Sequence, residues 1–353
     1  MHDVAVIGGG PAGAAVARRL ALRGRNVVLL EATAFDGPRF GETLPPEANP
    51  LLRELGVWDA FVASGPLESP GMVSAWGAGA RSETDFIGNR HGSGWHVERN
   101  AFDALLCRAA ADAGARVSTA TRVTRCARGG DGAWRVETGG GAELTARFVI
   151  DAGGRNGVRL ESGDGRIVDD VLVGIFLRVA YDGAPPSDLR TVVESGPDGW
   201  WYCAPLPSGD TVAVFLTDPA LYANDGIVVA DQLASAPLTR ARIGRARIAA
   251  SHVVQVPSSL RRRAAGADWA AAGDAAAAFD PLSGYGITKA LNGARELADA
   301  VDRALHSDRR ALEAYADGVR RAFDAYAVQR REHYARETRW AERAFWKNRS
   351  ATG

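Results

Sequence analysis

The chain has 353 residues, of which 24% are charged, with 42 Lys+Arg set against 42 Asp+Glu. That length suits one large unit or two domains with a substantial buried core. The zero net charge excludes a protein that works through a basic field on nucleic acid or an anionic membrane. Nearly all the cations are arginine, Lys289 and Lys347 being the two lysines. Cys107, Cys126 and Cys203 are scattered, with no CxxC and no metal-ligand spacing, which predicts structural or incidental thiols in a reducing compartment and no metal site. The apolar runs all fall short of a membrane span. Met1-His2-Asp3 leads into a strand without a basic n-region, so the expected setting is soluble and cytoplasmic, away from membranes.

Residues 4–31 read VAVIGGGPAGAAVARRLALRGRNVVLLE. An apolar run meets Gly8-Gly9-Gly10-Pro11-Ala12-Gly13, a helical pattern follows to Leu22, and a second apolar run ends in Glu31: strand, glycine turn, helix, strand. In such a GxGxxG turn Gly8 allows the tight bend and Gly10 the close approach of a pyrophosphate. Gly13 lets the helix pack on the strand, and Pro11 and Ala12 open a helix whose N-terminus faces the phosphates. Glu31, 18 residues beyond Gly13, stands where a carboxylate accepts from an adenosine ribose hydroxyl and repels a 2′-phosphate. The pattern therefore predicts FAD or NAD rather than NADP, a structural glycine-rich turn being the alternative.

The loop over 32–50 carries Arg39-Phe40-Gly41-Glu42-Thr43-Leu44-Pro45-Pro46. Its prolines and glycine forbid a helix through the middle, and a helix restarts at Pro50. Its place directly after Glu31 makes it a candidate cofactor strap, with Arg39 and Thr43 as contacts, against the alternative of an ordinary surface loop. Residues 66–95 are rich in Gly, Ser and Pro, with a strand over 72–76. SGWHVER (93–99) leads into a helix capped by Asn100, with Phe102, Leu105, Leu106 and Ala109 on one face, ending near Gly114. A strand over 116–120 and a hairpin at Gly129-Gly130-Asp131-Gly132 follow. ARFVIDAGGRNG (146–157) is an apolar strand ending in Asp151 that meets Gly153-Gly154, either a close approach of the backbone to a ligand or a plain tight turn.

From 166 to 252 the text is strand-like, over 171–179, 190–194, 200–204 and 211–216, with a further strand over 249–256. It predicts a largely antiparallel sheet inserted between pieces of the nucleotide domain. Trp200, Trp201 and Tyr202 alternate, so Trp200 and Tyr202 share a face opposite Trp201; one face is expected to be sheet core and the other to roof a pocket. Residues 269–297, WAAAGDAAAAFDPLSGYGITKALNGAREL, read as a strand ending in Gly273-Asp274, a loop with Pro281, Gly284 and Gly286, and a long helix from near Ile287. The positive end of that helix suits a heterocycle that becomes anionic on reduction. Residues 309–346 are helical by period, with an aromatic stripe (Tyr315, Phe323, Tyr326, Tyr334, Trp340, Phe345, Trp346) expected as core packed back on the nucleotide domain, or as a docking surface.

Together, GxGxxG…E, an apolar strand ending in DxGGR, and GD…DPLSGYG resemble the FAD-dependent aromatic hydroxylase superfamily. The resemblance implies an α/β fold in which a Rossmann-like FAD-binding domain is assembled from discontinuous segments (1–65, 96–165 and 264–308). An inserted, largely antiparallel β-sheet substrate domain (66–95 and 166–263) and a helical C-terminus (309–353) complete it. It also implies that Glu31 holds the adenosine ribose, Arg99 lies near the pyrophosphate, Val123, Asp151 and Gly153 line the cofactor, and Asp274 binds the ribityl chain. Pro281, Gly284, Tyr285, Gly286 and Ile287 would lie along the isoalloxazine. Within the superfamily, GETLPP (41–46), AWG (75–77), GWWYCAPLP (199–207) and RWAERAFW (339–346) are similar to the branch holding flavin-dependent tryptophan halogenases and the monooxygenases that mature peptidyl quinone cofactors of amine dehydrogenases and lysine oxidases. The halogenase WxWxIP motif stands here in degenerate form, as Trp200-x-Tyr202-x-Ala204-Pro205, and the lysine such enzymes carry after the strap is missing from residues 1–288.

The implied activity is monooxygenation, in which a flavin C4a-hydroperoxide hydroxylates an electron-rich aromatic, either a small molecule or a peptide- or protein-borne Trp or Tyr. Trp200, Trp201, Tyr202 and Pro205 are the expected substrate-pocket residues, and Glu42 and His96 the candidate bases. A loop-fixing carboxylate and a structural histidine are the alternatives for those two. A halogenase, with Lys289 in a catalytic role rather than as an exposed helix lysine, and a prenyl-reductase-type reductase or dehydrogenase are the competing activities. Reducing equivalents would come from NAD(P)H directly or through a separate flavin reductase.

Overall fold

Val4, Ala5 and Val6, and all four residues of 27–30, are at most 3% exposed, and strands with no polar side must be covered on both faces. They form β1 (His2–Ile7) and β2 (Val27–Leu30), parallel neighbours joined by α1 (Pro11–Leu22). The computed structural model describes residues 1–77, 81–160, 165–224, 229–244 and 246–350. The chain continues through β3 (Thr43–Leu44), α2 (Ala48–Glu54), α3 (Trp58–Ala63), β4 (Leu67–Ser69), β5 (Gly71–Ala75), β6 (Arg81–Asp85) and β7 (Gly94–His96). Then come α4 (Arg99–Asp112), β8 (Arg116–Ser118), β9 (Val123–Arg128), β10 (Trp134–Thr138) and β11 (Glu143–Asp151). Strands β8, β2, β1 and β11 run parallel in one sheet, which β10 and β9 extend antiparallel. Pro50 falls inside the first turn of α2 rather than at its start, where a missing N–H breaks no helical bond. Asn100 is not the cap of α4: Glu98 holds that position without a side-chain bond.

The second half supplies β12 (Arg166–Asp170), β13 (Val173–Ala180), β14 (Thr191–Gly196), β15 (Gly199–Pro205), β16 (Thr211–Thr217), α5 (Pro219–Asn224), α6 (Val229–Ala234), α7 (Pro237–Ile243) and β17 (Arg247–Gln255). It ends with β18 (Ser258–Arg261), β19 (Trp269–Ala271), β20 (Ala277–Ala278), α8 (Gly286–Leu305), α9 (Arg310–Ala335) and α10 (Ala344–Ser350). A second sheet runs β17-β13-β16-β15-β14-β5-β6, antiparallel except where β14 meets β5. Strand β19 returns to the first sheet, parallel to β11, so the nucleotide-binding layer collects strands from distant parts of the chain, and α1 packs between α4 and α8 above it.

Two expectations are corrected. The stretch between β16 and β17 holds the three short helices α5, α6 and α7 where only strands were anticipated; each is too short to show a period, and α7 helps cover Trp201, Cys203 and Phe215 on one face of the second sheet. The C-terminal helix does not continue to Trp346 but ends at Ala335. Beyond it the buried Glu337 carboxylate accepts from Gly77 N–H (2.9 Å) and the Ser195 hydroxyl (2.7 Å), bonds a straight helix cannot reach. The aromatic stripe is core, but divided: Tyr315 joins the nucleotide layer, while Tyr334, Phe345 and Trp346 pack on Trp200 and Val214 of the second sheet. Among the described residues no helix is long and apolar enough to cross a membrane.

Candidate functional site

The glycine turn is shaped by what surrounds it. Gly8 has φ +106°, and a Cβ there would meet Ala152 O at 2.4 Å; at Gly13 it would meet Gly8 O at 2.0 Å. Gly10 differs, because a Cβ there meets nothing within 4 Å. Next to that open space α1 starts at Pro11 and Ala12 with no side-chain cap and no acid in its first turn. An open glycine beside uncapped helix amides is an anion cradle, and it fits the pyrophosphate of FAD. At the end of β2, Glu31 accepts from Gly9 N–H (2.7 Å), Thr33 N–H (2.9 Å) and the Thr33 hydroxyl (2.7 Å), and pairs with Arg39 at 2.7 Å. Burial pushes its pKa up, but the Thr33 and Gly9 bonds and the Arg39 charge outweigh this and hold the carboxyl below its ordinary value.

Arg39 also pairs with Asp103 (2.8 Å), and Arg99 pairs with Asp103 (3.0 Å) while donating to the Phe40 and Gly41 carbonyls. Asp103 is inaccessible and fastens the strap to α4. Sequence reasoning missed it, although the Arg99–Asp103 spacing of four on a helix was a signal. Asp151 is corrected from a cofactor contact to a brace: it is inaccessible, 2.5 Å from Arg261, and accepts from Gly153 N–H at 3.0 Å. Gly153 lies where the second turn abuts the first, its N–H 3.0 Å from a Cβ built on Gly8. Val123 is partly buried and packs against the core cluster that holds Val28 and Leu30.

After β19, Asp274 faces Arg155 (3.0 Å) and Lys289 (3.1 Å). Burial raises its pKa, and those two cations, with Arg166, more than reverse that. Pro281 opens a single 3-10 turn, Gly284 is left-handed (φ +65°), and Tyr285 is 49% exposed. Helix α8 then begins at Gly286 and Ile287 with no side-chain cap and no acid in its first turn, and the buried Thr288 hydroxyl has no partner. Uncapped amides and an orphaned hydroxyl beside a carboxylate fit the polar edge of an isoalloxazine and a ribityl chain. Lys289 is not the exposed lysine anticipated as one alternative: its side chain is 20% exposed, its ammonium donates to Ala277 O and Asp274, and it lies 4.0 Å from the Phe279 ring centroid.

The strap meets the second sheet at Thr43, whose hydroxyl is 2.6 Å from Tyr202 OH and 3.0 Å from His96 Nδ1. His96 Nε2 lies 2.8 Å from Leu189 O. His96 is thus corrected from candidate base to structural residue: it is inaccessible, burial lowers its pKa to about 4, and both nitrogens are engaged. Three expected pocket walls are corrected as well. Trp200 is core, its indole N–H donating to Tyr334 OH (3.0 Å), which donates to buried Asp280 (2.8 Å). Trp201 is inaccessible on the opposite face, and Pro205 is buried at the end of β15. Tyr202 remains partly accessible and packs on the core cluster of Trp200 and Val214, as do strap Phe40 and Leu282 of the loop after Asp280. Beside it Glu42 is 4% exposed; Oε1 accepts from Gly41 N–H (3.0 Å) and Oε2 has no partner. Burial pushes this carboxyl up to about 7, against the opposing pull of Arg99. Among the described residues no group of His, Cys, Asp and Glu could hold a metal ion.

Residues 1–190 match the FAD binding domain family. LodB of Marinomonas mediterranea, named as a FAD-dependent oxidoreductase, is 29% identical over 374 residues covering 99% of this chain and 97% of that protein. The flavin-dependent halogenase armH3 of Armillaria mellea is 31% identical over 61% of this chain, which spans 47% of armH3. Among solved structures, the flavin-dependent halogenase CmlS superposes with a TM-score of 0.87 at 25% identity, over 100% of this chain and 68% of that one. QhpG, a peptidyl tryptophan dihydroxylase, shares the fold with a TM-score of 0.81 at 24% identity, over 99% of this chain and 79% of its own. A family match over more than half the chain, upon a turn, helix ends and carboxylates that suit the cofactor, means that the protein belongs to the FAD binding domain family and is a FAD-dependent oxidoreductase of halogenase-like fold.

Proposed function

We propose that the protein is a monooxygenase that hydroxylates an electron-rich aromatic ring carried by a peptide or protein, with Glu42 as the group that accepts the proton the ring sheds. Bound FAD, once reduced, supplies the two electrons with which molecular oxygen is divided between the ring and water. The chain's own residues hold it: Gly10 and the α1 amides at the pyrophosphate, Glu31 at the ribose, Arg99 and Asp274 along the chain, and the α8 amides with Thr288 at the isoalloxazine. The observation that carries the proposal is the unpartnered, buried oxygen of Glu42, on a carboxyl that titrates near neutrality, which is where a general base works best. The peptide-borne substrate is supported by the shared fold of the peptidyl tryptophan dihydroxylase QhpG.

Halogenation is the second reading, favoured by the relatedness to halogenases. Against it stands Lys289, whose ammonium is already engaged by Asp274 and Ala277 O. Aerobic turnover of the FAD-loaded, reduced protein on tryptophan- and tyrosine-bearing peptides, with and without chloride or bromide, separates the readings by product mass. A gain of one oxygen indifferent to halide is expected; replacement of hydrogen by halogen would give the site to the second reading, and a product lacking oxygen would give it to a reductase.

A further inference from the structure

The hydrogen atoms between the strap and the second sheet can be assigned one at a time. His96 Nε2 faces a main-chain carbonyl, Leu189 O at 2.8 Å, which only accepts, so Nε2 carries a hydrogen. Burial keeps this inaccessible ring neutral, with a pKa lowered to about 4, so Nδ1 is a bare acceptor. Thr43 Oγ1, 3.0 Å away, therefore donates to Nδ1. A hydroxyl has one hydrogen. At the 2.6 Å contact between Thr43 and Tyr202, Tyr202 must be the donor, and burial together with nearby Glu42 holds the phenol well above its ordinary pKa, so the hydrogen stays.

We infer that Tyr202 selects the substrate: with its hydrogen committed to Thr43, its oxygen offers only lone pairs to the site and takes an aromatic bearing a ring N–H or O–H, an indole or a phenol. This rests on the hydroxylase reading and narrows it to a substrate class. Tyr202 is partly accessible where the strap, through Thr43, meets the second sheet, with Glu42 close enough to act on its phenol. A ring whose N–H or O–H points at Tyr202 has that hydrogen held beside the second oxygen acceptor, Glu42. An N- or O-methylated ring leaves the Tyr202 oxygen without a donor and is disfavoured.

The test titrates the oxidised, FAD-loaded protein with indole and 1-methylindole, and with phenol and anisole, following the flavin absorbance. In each pair the unmethylated probe is expected to bind about tenfold tighter. Tyr202→Phe brings the ratio to about one with FAD still bound. Thr43→Val, which keeps Tyr202 but releases its hydrogen toward the site, narrows the ratio too. Equal binding within both pairs, binding by none of the four probes, or a ratio unmoved by either substitution overturns the assignment. Product analysis on the same preparations separates the two proposals. A ratio that collapses in Tyr202→Phe without any oxygen insertion sinks the hydroxylase reading and leaves Tyr202 as the selector; oxygen insertion with an unmoved ratio does the reverse.

Discussion

Glu42 holds its proton at a pH where most carboxylates have lost theirs, because burial outweighs the main-chain N–H groups and the Arg99 charge that favour its ion. Arg99 favours the ion, Glu98 opposes it, and desolvation exceeds both. Its folded pKa, about 7, lies above the unfolded one, so Glu42 lends stability that is complete below the unfolded pKa and is lost as pH rises through about 7, up to ~3 kcal/mol. Glu42→Gln is therefore expected to flatten the fall in melting temperature between about pH 5 and about pH 8. In turnover the same substitution should slow hydroxylation by about 10²–10⁴-fold and remove the limb of the pH–rate profile that rises through neutrality, with FAD retained. Lys289→Met acts through Asp274: it should weaken FAD binding about tenfold in equilibrium dialysis and leave the product unchanged. The sequence named Glu42 and His96 as equals. What separates them is tertiary, since the ring of His96 is enclosed by Thr43 and Leu189, residues 53 and 93 positions away.

At the scale of elements, the two glycines of the first turn make opposite demands. A methyl at Gly13 runs into Gly8 O, whereas one at Gly10 enters open space. Gly13→Ala should therefore lower the stability of the protein without cofactor by roughly 1–3 kcal/mol in urea unfolding, while Gly10→Ala should unfold normally and lose FAD. The reverse pattern would mean that Gly10 does not face the pyrophosphate. Strand β1, helix α1 and strand β2 were legible because period, turn and caps are local properties of 30 consecutive residues (about one βαβ opening). The strap was legible only by position. Its anchor, Asp103, belongs to another helix and was hidden in a pattern common on solvated helices.

Across the whole molecule one chain of hydrogen bonds couples three parts: Trp200 in the second sheet, Tyr334 on α9 and Asp280 at the head of the loop that leads into α8. Tyr334→Phe strands a buried indole N–H and a buried carboxylate oxygen at once. It should cost about 1–3 kcal/mol of stability and loosen FAD as well, read by denaturant unfolding and by flavin release; stability lost with FAD affinity intact would show that α9 does not position the loop. By itself the sequence determined the cofactor class and the existence of two sheets, because glycine spacing, strand alternation and the acid after β2 are set by neighbours along the chain. The tertiary structure alone decided which polar groups are free to act. Burial and partnership are properties of what packs around a side chain: they retired His96, Trp200 and Asp151 into the framework, tied Lys289 to Asp274, and left Glu42 with an oxygen to use.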